Sequence, residues 1–246
     1  MLSRVFILTL ALRTAIATTV DLLPRSESRL SQFLQEHSGE NDFGLDGHNV
    51  TNPSFGHDIE SREIQSRALG KAIIANRCPY DIWIWSVDQK GSKGPIQVKA
   101  RNRYSEPFRT PCERCGVSLK VSRTNQLQSG KHTQFEYAIA KDTIYYDISY
   151  VDCAKGNSAK DCPGHEKGHM IDSAEKACGV LKCQGGSYCP TQSYYVDKPK
   201  EKLGIPEPVL GCGNKGTGMD IWFTMCSDEK PLKRSVAGRL EIDDMA

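Results

Sequence analysis

Long apolar runs are scarce in this sequence, and none reaches the roughly 20 residues that a membrane-spanning helix needs. The nearest candidate, residues 5–12, is short and is followed at once by Arg13. The C-terminal residues 241–246 also lack the hydrophobic tail that signals a lipid anchor. These absences predict a chain with no membrane span of its own.

The first 17 residues have the pattern of a secretory signal peptide. Arg4 precedes the apolar stretch, and the small residues Ala15 and Ala17 follow it with one residue between them. This order of positive charge, short apolar run and A-x-A site predicts cleavage after Ala17 and export from the cell. The alternative is a membrane anchor, which the early Arg13 disfavours.

Cysteine is absent from the first 77 residues and from the last 20, so all ten cysteines lie between Cys78 and Cys226. An even number confined to one segment of an exported chain indicates a disulfide framework, because thiols oxidise outside the cytosol. The other eight are Cys112, Cys115, Cys153, Cys162, Cys178, Cys183, Cys189 and Cys212.

A zinc site is the alternative use of these thiols. Cys112 and Cys115 have ligand spacing, and Cys178, Cys183 and Cys189 could complete the site. Zinc clusters of this kind belong to reducing compartments, which an exported chain leaves. We therefore expect no metal and no other cofactor.

Charge divides the chain into two parts. Residues 18–68 carry four Arg against nine Asp or Glu, a net charge of −5, with few aromatic residues. Such a segment cannot bury enough apolar surface to offset its chain entropy, so we expect disorder there. Residues 69–227 carry 22 Lys or Arg against 16 Asp or Glu, a net charge of +6, and hold every Trp and Cys. The acidic segment is either a pro-region lying against the basic domain or a solvated linker.

Two candidate modification sites flank the cysteine-rich region, which we place at residues 69–228. Asn49 begins a usable N-x-T glycosylation sequon, whereas Pro53 blocks the next one. In the polar tail, residues 229–246, Lys233 and Arg234 form a dibasic pair. This pair is either a cleavage site for a processing protease or two solvated charges.

The hydrophobic period in the cysteine-rich region is mostly two. Residues 96–100 and 117–121 alternate between apolar and polar, which predicts strands with one buried and one wet face. Residues 82–87, 143–151 and 220–225 are aromatic and β-branched on both faces, as in strands within a core. Clusters of Gly, Pro, Asn and Lys, such as residues 89–95, predict turns between the strands. We expect a mainly β fold, an antiparallel β-sandwich with an appended disulfide-rich loop lobe at residues 153–210 that contains a short helix at residues 171–181.

A catalytic motif occurs at residues 165–169, where the sequence HEKGH matches H-E-x-x-H. In a helix the two histidines would ligate zinc and Glu166 would activate water. Pro163 and Gly164 precede the motif, Gly168 lies inside it, and no apolar face is available to bury such a helix. These features favour a solvated polar loop over a metallopeptidase.

Segments near the strand ends resemble thaumatin-like proteins. Residues 72–83 (AIIANRCPYDIW) look like that family's opening strand, residues 146–152 (YDISYVD) like its acidic strand, and residues 220–226 (DIWFTMC) like its closing strand. The resemblance covers residues 70–227 in order. It is strongest for the fungal yeast-phase-specific (Bys-type) antigenic branch, which shares the Ile-Ala-Asn-x-Cys-Pro and Ile-Ser-Tyr-Val-Asp-Cys segments.

The resemblance implies a disulfide between Cys78 and Cys226 that ties the first strand to the last. It also implies an acidic cleft between sandwich and loop lobe, which some members use to bind or hydrolyse β-1,3-glucan. Glu136, Asp147 and Asp152 match three of its acidic residues. Its arginine has the candidates Arg101, Arg109 and Arg123, and its last Asp has no counterpart among residues 197–212.

Two carboxylates, one protonated and one ionised, are the groups that glycoside hydrolysis requires. Asp147 and Asp152 are five residues apart, so in one regular strand they would point to opposite faces. They reach one cleft if the strand ends or bends near Val151. The alternative is a set of strand-end carboxylates that face water.

Two functional hypotheses follow. The first is a secreted binding protein, an antigen, adhesin or effector-like factor of the cell wall or host interface, whose partner is an extracellular protein or a wall polysaccharide. The second is a weak β-1,3-glucan-binding or hydrolysing protein that uses the acidic cleft. Binding without hydrolysis is favoured because the acidic set is incomplete. Nucleic acid is not expected as a partner, since a net charge of +6 is modest and no stacking motif accompanies the basic residues.

Overall fold

The computed structural model of the chain describes residues 69–113, 115–127 and 130–231. The expected signal peptide with Ala17, the acidic segment with Asn49, and the pair Lys233 and Arg234 lie outside these residues. Within them, no helix combines the length and the apolar composition needed to cross a bilayer.

Two β-sheets contain the eleven strands found in the described residues. The strands are β1 Lys71–Asn76, β2 Ile82–Asp88, β3 Gly91–Val98, β4 Arg103–Pro107, β5 Gly116–Ser122, β6 Thr133–Ala140, β7 Thr143–Ser149, β8 His169–Asp172, β9 Leu181–Cys183, β10 Leu210–Gly211 and β11 Ile221–Met225. One sheet has the order β4-β1-β11-β8-β9, and the other has the order β10-β7-β6-β5-β2-β3. A five-residue helix, α1 Pro199–Leu203, and two short 3-10 helices, His165–Lys167 and Gly213–Lys215, complete the elements.

The core lies between the two sheets and is built from alternate residues of each strand. Phe135 of β6 stacks on Phe223 of β11, with ring centroids 5.1 Å apart, so the contact joins one sheet to the other. Phe108 packs edge-on against Tyr137 at 4.9 Å, and all four rings are almost fully buried. The expected mainly β sandwich is confirmed.

One strand pair departs from the antiparallel expectation. β1 and β11 run parallel, with Ile74 opposite Phe223, whereas the other ladders of the described strands are antiparallel. Parallel neighbours require a long crossover, and here nearly the whole domain lies between them. The disulfide between Cys78 and Cys226 joins the ends of these two strands.

All ten cysteines are paired, which confirms the expected disulfide framework. The pairs besides Cys78–Cys226 are Cys112–Cys115, Cys153–Cys162, Cys178–Cys212 and Cys183–Cys189. The thiols weighed as zinc ligands are therefore committed to disulfides. Three of the bridges lie in or close to the loop lobe, where they replace regular secondary structure as the source of order.

The helix expected at residues 171–181 is wrong. Ile171 belongs to β8, where it is buried opposite Phe223, and the chain then turns before β9 begins at Leu181. Pairing with β11 imposes the two-residue period, and the bond from Cys178 to Cys212 holds the turn. The short helix of the lobe is α1 instead.

Two other expectations need correction. Every residue of β5, expected to have a wet face, is buried, because the polar side of this strand is covered as well as the apolar side. Part of the turn expected at residues 89–95 belongs to β3. This strand forms one edge of its sheet, where Pro95 is tolerated although it has no N–H to donate.

Candidate functional site

Two acidic side chains face each other on the outer side of the six-stranded sheet. Glu136 of β6 lies directly opposite Asp147 of β7, and alternation in each strand turns both away from the core that Phe135 and Tyr146 enter. The chain of the loop lobe runs alongside, since the backbone N–H of Tyr194 donates to the carbonyl of Ile148 at 2.9 Å. We call Glu136 and Asp147 the acidic pair.

The acidic pair is closed to solvent. Glu136 is 1% exposed and Asp147 is 0% exposed, so the interpretation of strand-end carboxylates facing water is wrong for these two. Neither carboxyl oxygen of Asp147 has a hydrogen-bond partner among the described residues. Burial raises the pKa of Asp147 well above its usual range, and repulsion from Glu136 and Glu207 raises it further. Burial and the two neighbouring carboxyl groups thus favour the protonated form of Asp147.

Asp152 lies on the same outer side of the sheet but has different partners. The strand β7 ends at Ser149, before Val151, and the turn that follows brings Asp152 close to two basic side chains. Lys120 Nζ donates to its carboxylate at 3.1 Å, and His132 is hydrogen-bonded to the same oxygen. Burial alone would raise the pKa of Asp152, but the hydrogen bond from His132 and the charge of Lys120 outweigh it and hold that pKa well below the usual range. This carboxylate is ionised and is one half of an ion pair.

The H-E-x-x-H sequence does not form a helical zinc site. His165 lies in a 3-10 turn that ends at Gly168, whose φ is 78°, and His169 lies in β8. His165 Nε2 donates to the carbonyl of Ser187 at 3.0 Å, and the Tyr150 hydroxyl is hydrogen-bonded to His169 Nδ1 at 2.7 Å. Glu166 instead accepts a hydrogen bond from Tyr80. Among the described residues, no three His, Cys, Asp or Glu side chains are grouped as metal ligands would be.

The sequence model of the Blastomyces yeast-phase-specific protein (Bys1) family matches residues 63–227, which is more than half of the chain. The chain belongs to the Bys1 family. A curated relative, the antigenic thaumatin-like protein of Arthroderma benhamiae, is 26% identical over 177 residues, which are 70% of this chain and 83% of the relative. The resemblance to fungal thaumatin-like proteins is thereby confirmed.

Two solved structures have similar backbones. The protein elicitor MoHrip2 from Magnaporthe oryzae aligns with a TM-score of 0.46 at 19% identity, covering 64% of this chain and 99% of its own. The thaumatin-like xylanase inhibitor TLXI aligns with a TM-score of 0.39 at 12% identity, covering 62% of this chain and 97% of its own.

The three arginines considered for the cleft of this Bys1-family chain lie in three different places. Arg101 contacts Glu229, and Arg123 lies over the ring of Tyr80 at 3.9 Å from its centroid. Arg109 donates to Asp88 and to Glu106, both at 2.8 Å, near the edge strands β3 and β4. The sequence alone could not choose among them, since most of their partners are far apart in the chain.

Sequence reasoning missed Glu207 as a neighbour of the acidic pair. Its charge raises the pKa of Asp147, which places it close to that carboxyl although it comes from the loop lobe. The family's last acidic residue is an Asp, whereas Glu207 is a glutamate. Allowing either carboxylate among residues 197–212 brings in both Glu201 and Glu207, and the sequence does not distinguish them.

Replacing Asp147 with asparagine is expected to raise the free energy of unfolding at pH 7 by about 1–3 kcal/mol, because the amide stays neutral in a buried site that disfavours the ionised carboxylate. The folded pKa of Asp147 lies above its unfolded value of about 3.9, so the folded state keeps a proton that the unfolded chain releases. That contribution to stability falls as pH rises. The gain from asparagine should be absent at pH 3 and grow toward pH 7 in denaturant titrations.

The matched control is Asp152→Asn, for which the opposite sign is expected. The folded pKa of Asp152 lies below its unfolded value, so its stabilising contribution is present above about pH 4 and is lost as pH falls. This variant should be less stable than the wild type at pH 7. A loss of stability at pH 7 in Asp147→Asn as well would show that Asp147 acts as a paired carboxylate.

Proposed function

We propose that this Bys1-family protein is secreted and acts outside the cell by binding at the cell wall or the host interface, without hydrolysing its ligand. Support for the location comes from the signal-peptide pattern ending at Ala17 and from the five disulfides, which are consistent with an extracellular protein. The relative from Arthroderma benhamiae is named an antigenic protein, in keeping with a surface-exposed or released product.

The observation that carries the proposal is the closure of the acidic pair. A glycosidase must place both carboxyls against the scissile bond of its substrate, one as acid and the other as base or nucleophile. Glu136 and Asp147 are 1% and 0% exposed, with Tyr194 and Glu207 of the loop lobe beside them. A sugar chain cannot reach them unless the lobe lifts, and lifting would break the backbone hydrogen bond from Tyr194 to Ile148 of the sheet.

A second candidate function is weak binding or hydrolysis of β-1,3-glucan at the acidic pair. It is favoured by one specific feature: Asp147, whose pKa is raised by burial, lies directly opposite a second carboxyl group. A general acid needs a raised pKa of this kind, so that it carries the proton that it donates. In this candidate the loop lobe opens to admit the glucan.

The protein is expressed from its full-length sequence, located by fractionating medium, wall and cells, and then incubated with isolated wall material, with host extracellular material and with insoluble β-1,3-glucan. The bound fraction and the reducing sugar released are measured for the wild type and for Glu136→Gln and Asp147→Asn. We expect the wild type in the medium or wall fraction, retained on wall material, and releasing no more sugar than either variant.

Other outcomes lead to different conclusions. Release of sugar that both substitutions abolish would establish the second candidate. Wild-type protein that stays inside the cells, or that neither wall material nor host extracellular material retains, would overturn the proposed binding function.

A further inference from the structure

The bridge between Cys112 and Cys115 is more open to solvent than the other four. All ten cysteines lie within the described residues, and Cys112 is the one that is exposed, whereas its partner Cys115 is 2% exposed. Of the other eight cysteines, seven are buried and Cys189 is half-buried. A thiolate that opens a disulfide must reach one of its two sulfur atoms, so access decides which bridges can react. Cys112 offers that access.

The spacing of this bridge is C-x-x-C, which is the spacing of redox-active cysteine pairs. Its cysteines are 3 residues apart, against 6, 9, 34 and 148 residues for the other four bridges. The shortest loop restricts the unfolded chain least, so opening this bond lowers the stability of the fold least. Of the five bridges, it is therefore the one that the fold needs least and that a thiol reaches most easily.

Both sulfur atoms of this bridge have an oxygen atom beside them. Cys112 Sγ lies 2.9 Å from the side-chain oxygen Oε1 of Gln89, and Cys115 Sγ lies 3.6 Å from the backbone carbonyl oxygen of Glu113. A disulfide sulfur has no hydrogen to donate, whereas a thiol is a weak donor. The two contacts therefore become hydrogen bonds only when the bridge is reduced. The dithiol form finds its acceptors already in place.

The chain on either side of the bridge is held in place by other contacts. Before it, Arg109 donates to Asp88 and to Glu106, both at 2.8 Å, which ties the end of β4 to the end of β2. After it, Gly116 begins β5 and lies opposite Ala138 of β6. Neither anchor uses the sulfur atoms. The bond can therefore open and close while the two sheets stay as they are.

We propose that the bridge between Cys112 and Cys115 is a thiol–disulfide exchange site, at which the thiolate of a small thiol or of a partner's cysteine attacks Cys112. The site lies in the loop between β4 and β5 and uses neither residue of the acidic pair. It goes beyond the proposed binding function, because it assigns the folded protein a covalent chemistry. The other four bridges hold the fold and stay closed.

The exchange needs only thiols as co-reactants. The attacking thiolate forms a bond to Cys112 Sγ, and the bond between the two cysteine sulfur atoms breaks. Cys115 leaves as a thiolate, which takes a proton from water. A second thiolate then attacks the sulfur of the first thiol, forms a disulfide with it and releases Cys112, which is protonated in turn. Two thiols are oxidised to one disulfide, and the bridge is reduced to a dithiol.

The experiment incubates the purified protein, expressed from its full-length sequence, with reduced glutathione or with reduced thioredoxin at the same thiol concentration and without denaturant. New thiols are alkylated at intervals and located by peptide mass mapping. We expect the bridge of Cys112 to open at least about tenfold faster than any other, because the others are shielded. The protein with this bridge alone open should keep its secondary structure. Faster opening by thioredoxin assigns the reductant to a protein cysteine, and faster opening by glutathione assigns it to a small thiol.

Two single variants test which sulfur is attacked. Cys115→Ser leaves an exposed thiol at Cys112, and the matched Cys112→Ser leaves a buried thiol at Cys115. With oxidised glutathione, we expect Cys115→Ser to form the mixed disulfide about tenfold faster than Cys112→Ser. Should either variant fail to fold, the opening rates of the five wild-type bridges decide the proposal without it.

The half-buried bridge between Cys183 and Cys189 is the comparison that decides the outcome. If the bridge of Cys112 opens no faster than this one, or opens only after the protein has unfolded, the proposal is overturned. Equal uptake of glutathione by the two single variants also overturns it, because attack would then not depend on the exposure of Cys112. None of these results changes the retention on wall material, so the proposed binding function is tested separately.

Discussion

Replacing Glu106 with alanine is expected to lower the free energy of unfolding by about 3–5 kcal/mol, because it leaves buried partners uncompensated. Glu106 is 7% exposed, and its Oε1 accepts from Ser86 at 2.9 Å, Arg109 at 2.8 Å and Tyr137 at 3.2 Å. Its Oε2 accepts from Tyr104 at 2.8 Å. Arg109 keeps Asp88 as a partner, but three hydroxyl groups lose their acceptor. Chemical denaturation measures the change.

Two variants test whether the loss comes from the buried network. Glu106→Gln keeps an acceptor oxygen and most of the volume, so we expect an intermediate loss. Asp161→Ala removes an exposed carboxylate that pairs with Lys155, and the unfolding midpoint should not move, since exposed ion pairs contribute little. A midpoint in Glu106→Ala that matches the wild type would mean that water replaces the carboxylate at no cost.

Local periodicity predicts the strands better than it predicts their surroundings. The runs at residues 82–87 and 220–225 coincide closely with β2 and β11, because aromatic and β-branched residues favour a pleated, buried backbone. The outer face of β5 was expected to be wet because Ser118 and Lys120 alternate with apolar residues. It is buried because groups distant in sequence cover it, among them Asp152 against Lys120. The two-residue period of a strand does not show whether distant residues pack over its polar face.

The loop lobe shows the same limit. The sequence predicts a helix at residues 171–181, yet its first residues belong to β8, because they pair with β11, which lies some 50 residues later in the chain. Sheet pairing with a distant strand overrides a weak local preference.

The candidate site was predictable only in part. The resemblance pointed to Glu136 and Asp147, and they lie opposite each other in adjacent strands. Closure of the pair and the approach of Glu207 depend on the path of the lobe, which local sequence does not determine.

Removing the bridge between the first and last strands, with Cys78→Ala and Cys226→Ala together, is expected to lower the free energy of unfolding by about 4–5 kcal/mol. The two residues are 148 apart in sequence, so the bond closes a loop of nearly the whole domain and restricts the unfolded chain strongly. Both cysteines are fully buried, so the double alanine variant also loses packing. The denaturation midpoint of the purified protein measures the effect.

The matched control is Cys112→Ala with Cys115→Ala, which removes a bridge between residues only 3 apart. The chain-entropy term is about 2 kcal/mol for so small a loop, so the midpoint should fall by less than half as much. Because the ladder between β1 and β11 persists without the bond, the Cys78 and Cys226 variant should keep the same secondary structure in the folded state. Equal losses in the two double variants would show that packing around the sulfur atoms, rather than the span of the loop, decides what each bridge contributes.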